Sequence, residues 1–121
     1  MSIKVLIAED YQDSREMLRY LLEDDGYEVF EAADGYEAVK MAVTEHPDLI
    51  LMDIAMPVLD GLQATEAIRQ HASLKKTPVI ALTAFGDFYK ERARLAGCNA
   101  VVQKPFEFDQ LGPLVKRYTG H

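Results

Sequence analysis

The sequence predicts an α/β protein, a doubly wound five-stranded parallel sheet built as (βα)5, and three observations predict it. Five short runs rich in Val, Ile and Leu recur along the 121 residues: "IKVLIA", "YEVFEA", "DLILMD", "TPVIAL" and "AVVQ". Each is separated from the next by a segment whose apolar residues keep helical spacing. Strict alternation of this kind implies parallel strands joined by right-handed crossovers, with helices on both faces of the sheet.

The elements follow in order. After the first run, residues 3–8, "DSREMLRYLLEDDG" sets Met17, Leu18, Leu21 and Leu22 on one helical face. Asp13 and Glu16 stand there at capping-box spacing and Gly26 closes the helix. The second run, 27–32, precedes a helical segment over 35–46; the third, 48–53, precedes one over 60–72; the fourth, 77–82, precedes one over 87–96. Beyond the fifth run, 100–103, Leu111, Leu114, Val115 and Tyr118 recur at i, i+3, i+4 and i+7, a stripe for the sheet. Stretches 54–60 and 71–77 read as ordinary loops, and no linker, repeat or low-complexity tract interrupts the chain. One domain over 1–121 is expected.

Composition narrows the function. Thirteen Lys and Arg against twenty Asp and Glu give a net charge of −7, which opposes direct nucleic-acid binding. No apolar run approaches the roughly 20 residues of a membrane helix, so no membrane insertion is expected. "MSIKVLIAED" lacks the length and cleavage site of a secretory signal, which implies a cytoplasmic protein. The single Cys98 reads as a small buried apolar residue, and His46, His71 and His121 lack zinc-ligand spacing.

Chemistry gathers at the strand ends. In open parallel sheets, ligands bind beyond the carboxyl ends of the strands. The first strand ends on Glu9 and Asp10, the third on Asp53, the fourth on Thr83 and the fifth on Lys104 with Pro105 after it. Singly, each has a plain structural role available, as a cap, a turn, a backbone-bonded hydroxyl or a solvated charge. Their convergence on one rim favours a site. Two carboxylates about 5 Å apart repel by roughly 3 kcal/mol at an effective dielectric near 20. A hard divalent cation removes that repulsion, and oxygen-only ligands are what Mg2+ takes. Lys104 and Thr83 then suit a tetrahedral dianion seated on Asp53.

Four motifs, the pair Glu9 and Asp10, "MDIAMPVLDG" with Asp53, Met56, Pro57, Asp60 and Gly61, "ALTA" with Thr83 and Ala84, and "KPF" at Lys104, Pro105 and Phe106, resemble in order and spacing the receiver domains of two-component response regulators. The resemblance implies the flavodoxin-like strand order 2-1-3-4-5 and makes Asp53 the phosphoacceptor. It implies Mg2+ held by the side chains of Asp10 and Asp53 and the carbonyl of Ala55, with Glu9 reaching the ion through water. Thr83 and Lys104 would hold phosphate oxygens, and the peptide before Pro105 would be cis. The implied donor is a phosphohistidine on a histidine kinase or a histidine phosphotransfer protein. The chain would be a stoichiometric acceptor, with self-catalysed transfer and slow autodephosphorylation, not a turnover enzyme. It would signal to a downstream effector protein through the fourth helix, fifth strand and fifth helix.

Two departures bear on output: Val101 stands where the family usually has an aromatic ring, and Gly112 and Pro113 fall inside the last helix and are expected to kink or delay it. Ala55 and Phe85 lie where the family tunes attack by water on the phosphoryl group. A longer phosphoryl lifetime is expected, with Phe85 covering the site. Phe85, Phe88 and Tyr89 form either a docking patch or ordinary packing. Against an aspartyl-phosphate phosphatase, Ala55 supplies no general acid two residues beyond Asp53. Against a flavin carrier, "EDYQDS" would repel a flavin phosphate. A pseudo-receiver, folded but never phosphorylated, is opposed by the presence of all five site residues.

Overall fold

A computed structural model describes residues 2–121. The alternating pattern becomes β1 (Lys4–Ala8), α1 (Gln12–Asp24), β2 (Glu28–Ala32), α2 (Gly35–Glu45), β3 (Leu49–Asp53), α3 (Gly61–Arg69), β4 (Val79–Thr83), α4 (Gly86–Ala96), β5 (Ala100–Gln103) and α5 (Phe108–Thr119). All pairings are parallel and the sheet order is β2-β1-β3-β4-β5. The central strands β3 and β4 are buried at every position, as continuous apolar runs in a sheet covered on both faces must be.

Strand alternation divides the core into two layers. Leu6, Ala8, Ile50, Met52, Val79 and Ala81 face α2, α3 and α4, whereas Val5, Ile7, Leu49, Leu51, Ile80 and Leu82 face α1 and α5. Each fully buried Leu or Ile contributes about 1.5–3 kcal/mol from removal of apolar surface from water. The layers lock the strands in register, which levels their carboxyl ends: Ala8 pairs with Met52, Asp53 with Leu82 and Thr83 with Gln103.

Several local expectations need correction. α1 begins at Gln12, so Asp13 lies inside the first turn and no side chain caps the helix; Glu16 instead accepts from Gln12. Leu18 and Leu22 are buried and Leu21 half-buried, but Met17 is 65% exposed, because it stands on the flank of the helix and not on the face toward the sheet. Helix caps come from Asp34 on α2 and from Asp60, which forms a capping box with Gln63 on α3. α3 stops at Arg69, and a 3₁₀ turn over Ala72–Leu74 occupies part of the expected loop. α5 is not delayed: it starts at Phe108, where Gln110 reaches back to the Glu107 N–H, and runs through the exposed Pro113.

Arg69 ties the far side together. Its guanidinium donates to the carbonyls of Leu74 and Gly97 and to the Asn99 side chain, joining the end of α3 to the end of α4. Cys98 is buried beside it, donating to the Thr65 hydroxyl at 3.8 Å, and burial pushes the thiol pKa up.

Candidate functional site

At the carboxyl rim β1 delivers two polar groups and β3, β4 and β5 one each. Glu9, one residue past β1, is 2% exposed, and its N–H donates to the Ala32 carbonyl. Asp10 follows it in solvent. Asp53, the last residue of β3, is 4% exposed, and the next residue, Ile54, is tied to β4 by its N–H to the Leu82 carbonyl. α3 starts against that turn: the Gly61 N–H donates to the Ile54 carbonyl at 2.8 Å, and a Cβ at 61 would lie 2.2 Å from the Asp53 carbonyl oxygen. Only glycine permits this approach.

Lys104 closes the constellation from the far edge. Its peptide with Pro105 is cis, and its N–H donates to the Thr83 carbonyl at 2.7 Å. Its ammonium stands 2.8 Å from Glu9 Oε1 and 3.3 Å from Asp53 Oδ2. One oxygen each from Glu9, Asp10 and Asp53 lies within 4.8 Å of the others.

Crowding shows in the acid–base properties. Burial, then the hydrogen bond and charge of Glu9, push the Asp53 carboxyl up to about 7 against the weaker pull of Lys104. For Glu9 burial also acts upward, but hydrogen bonds with Asp53 and Lys104 outweigh it and its pKa falls. The two shifts belong to the pair, and the closer approach of Lys104 to Glu9 accounts for their opposite directions. Burial alone would lower the Lys104 pKa, but the two carboxylates raise it, so the amine stays charged.

This set of groups invites comparison with known proteins. Residues 5–116 match the family described as the response regulator receiver domain. The chain belongs to that family. It is 40% identical to the polar-differentiation response regulator DivK of Brucella ovis, over 99% of this chain and 98% of that protein. Among solved structures, the receiver domain of the sensor histidine kinase PA1611 from Pseudomonas aeruginosa superposes with a TM-score of 0.92 at 35% identity, covering all of both chains; that structure carries a magnesium ion in its active site cleft. The Vibrio cholerae chemotaxis protein CheY4 gives 0.91 at 34% identity, over 98% of this chain and 99% of that one.

The donor set of this receiver domain fits such an ion. Its three acids offer only oxygen, the choice of a hard cation, and the raised pKa of Asp53 marks negative charge that Lys104 does not fully compensate. Ala55 lies exposed two residues past Asp53, its carbonyl outside the hydrogen-bond network of the described residues. Thr83, 4% exposed at the end of β4, accepts the Phe85 N–H at 3.0 Å on its hydroxyl and keeps its own proton free to donate.

Phe85 does not seal the receiver site, since it is 67% exposed. Phe88 is also exposed, and its ring meets Tyr89 edge-on at 4.9 Å with Arg92 against both rings, while Tyr89 packs partly into the core. The aromatic group is thus split between surface and interior. Val101 is half-buried against α4. Two residues that spacing arguments pass over, Arg15 and Glu31, lie next to the acidic loop. An acid inside the apolar run "EVFEA" was the available signal, since a half-buried charge needs a partner.

Proposed function

We propose that residues 1–121 act as one phosphoacceptor unit in the cytoplasm, taking a phosphoryl group onto Asp53 from a phosphohistidine of a histidine kinase or phosphotransfer protein. One observation carries the reading: a buried carboxyl at the end of a central strand, with an ammonium 3.3 Å away and two further acids close by. In this reading Asp10 and Asp53, with the Ala55 carbonyl, hold Mg2+ and Glu9 supports it through water. Bound there, the ion supplies positive charge for the oxygens of the passing phosphoryl group.

The chain's own residues do the rest. Asp53 gives up its proton, one carboxylate oxygen bonds to phosphorus, and the P–N bond of the donor breaks with its electron pair returning to the imidazole. Lys104 balances equatorial oxygen charge and Thr83 donates its hydroxyl to one of those oxygens. The product is a mixed anhydride formed once per chain, so the protein is an acceptor and not a turnover enzyme. Movement of Thr83 pulls the Phe85 N–H bonded to it, and the Phe85 carbonyl accepts from Tyr89 in the first turn of α4. That link supports output to an effector through α4, β5 and α5.

A groove beside the site, lined by Met17, Leu18, Leu21, Pro105 and Phe106, offers an apolar seat for the donor's helix. In this reading the exposed Met17 forms part of that seat. Intact mass after acetyl phosphate and Mg2+ tests the chemistry. One added phosphoryl group in wild type and none in Asp53→Asn is expected; equal gain in both would refute Asp53.

A further inference from the structure

Glu9 is held at four atoms. Its N–H donates to the Ala32 carbonyl at 3.0 Å, Lys104 donates to Oε1 at 2.8 Å, and the Tyr11 N–H donates to Oε2 at 3.3 Å. The fourth contact comes from outside the site: Nη1 of Arg15 donates to the Glu9 backbone carbonyl at 2.9 Å. Arg15 sits on α1 with its side chain only 16% exposed, and its Nε pairs with Glu31 Oε1 of β2 at 3.0 Å. The other Glu31 oxygen accepts from Arg19, which also pairs with Glu23. Glu31 is thus gripped from both sides, and hydrogen bonds from Arg19 and Arg15 keep it ionised against the upward push of burial.

We infer that Arg15, oriented by Glu31, is a positioning residue for the metal-binding acids. The inference rests on the Mg2+ reading of Glu9, Asp10 and Asp53 given above. A carbonyl and the following N–H share one rigid plane, so a guanidinium bound to the Glu9 carbonyl sets the rotation of the Glu9–Asp10 peptide. From that peptide the two side chains diverge, Glu9 into the interior and Asp10 to the rim. Turning the plane displaces both relative to Asp53. Mg2+ demands near-ideal octahedral geometry, so it senses such a displacement more than a flexible cation does. The planar fork of arginine suits this double contact, because one N–H takes the carboxylate while another takes the carbonyl.

Sign separates this role from simple electrostatics. Arg15 is a cation near a cation site, so deleting its charge favours metal binding by Coulomb's law. Positioning predicts the opposite.

The test is calorimetric Mg2+ affinity of the full chain, with metal-free thermal unfolding of each variant alongside. Arg15→Met keeps the aliphatic stem and is expected to bind Mg2+ about tenfold more weakly, the usual size of an outer-shell effect. Arg15→Lys restores the carbonyl contact without the fork and falls between. Glu31→Gln is nearly isosteric and weakens binding by a smaller factor, and Arg15→Met with Glu31→Gln binds no more weakly than Arg15→Met alone. Unchanged or tighter binding in a cooperatively folded Arg15→Met overturns the inference. If that variant does not fold, unchanged affinity in Glu31→Gln overturns it instead. A wild-type chain that takes up no Mg2+ sinks the metal reading itself, and this inference with it.

Discussion

Lys104 stands nearer to Glu9 than to Asp53, 2.8 Å against 3.3 Å, so its ammonium is committed mainly to Glu9. Asp53, with less compensation and nearly complete burial, is the carboxyl whose pKa is pushed up, to about 7. That upward shift has measurable consequences.

In the proposed metal site Mg2+ competes with a proton for Asp53. Affinity is expected to rise with pH by close to tenfold per unit below 7 and to level off above it, with about one proton released per ion on the acid side. Calorimetry in two buffers of different ionisation enthalpy reads both quantities. A flat profile from about pH 5.5 to 8.5 would be inconsistent with that competition.

Stability of the metal-free protein should run the other way. Asp53 titrates near 7 when folded and near its ordinary value of 3.8 when unfolded, so the folded state holds the extra proton between them and stability falls as pH rises through that window. The depressed pKa of Glu9 opposes this in part. Asp53→Asn removes the penalty and should stabilise the chain by about 2 kcal/mol at pH 8 and hardly at all at pH 4. Denaturant unfolding at both pH values checks it; equal gains at both would point to another cause.

Val58 offers a separate check on the loop that follows β3. It has φ 70, in the left-handed region, yet is β-branched and 74% exposed, so the strain is repaid by no packing of its own. Val58→Asn should stabilise the fold by about 1 kcal/mol, seen as a higher denaturant midpoint with unchanged slope.

Gly61→Ala should do the reverse. A methyl group 2.2 Å from the Asp53 carbonyl must push α3 away from β3, at a cost of about 3 kcal/mol or more, and should weaken phosphoryl acceptance in step. Full acetyl-phosphate labelling in a destabilised Gly61→Ala would show that α3 does not position Asp53.

The phosphoryl group on Asp53 should persist longer than in relatives with polar residues at both positions matching Ala55 and Phe85. Since Phe85 faces solvent, the effect rests on Ala55, which cannot orient water. Ala55→Asn is therefore expected to shorten the lifetime several-fold by phosphate release, and Phe85→Ala to change it little.

Much of this was legible from periodicity. Buried parallel strands are long apolar runs, so β3 and β4 announce themselves, and a charge closing such a run, as Asp53 does, can hardly be accidental. The cap of α1 was not legible, because Asp13 has the right side chain one residue inside the actual start. Met17 belongs by spacing to the buried stripe, yet the width of that stripe is set by neighbours distant in sequence. The pairing of Arg15 with Glu31 is hidden in the sequence for the same reason: it depends on how α1 lies across β2, a matter of packing that no local pattern encodes.

Arg69 constrains what the fourth helix can do. Its grip on the Gly97 carbonyl fastens one end of α4 to α3, while the other end is tied by the Phe85 N–H to Thr83 and by partial packing of Tyr89 into the core. A rod so pinned pivots and does not slide. With 11 residues it spans about 16 Å, so a swing of about 10° carries its first turn about 3 Å, a hydrogen bond's length, and leaves its last turn in place. Whatever reads the state of Asp53 from this helix has the most to gain by touching Phe88 and the least by touching Leu95.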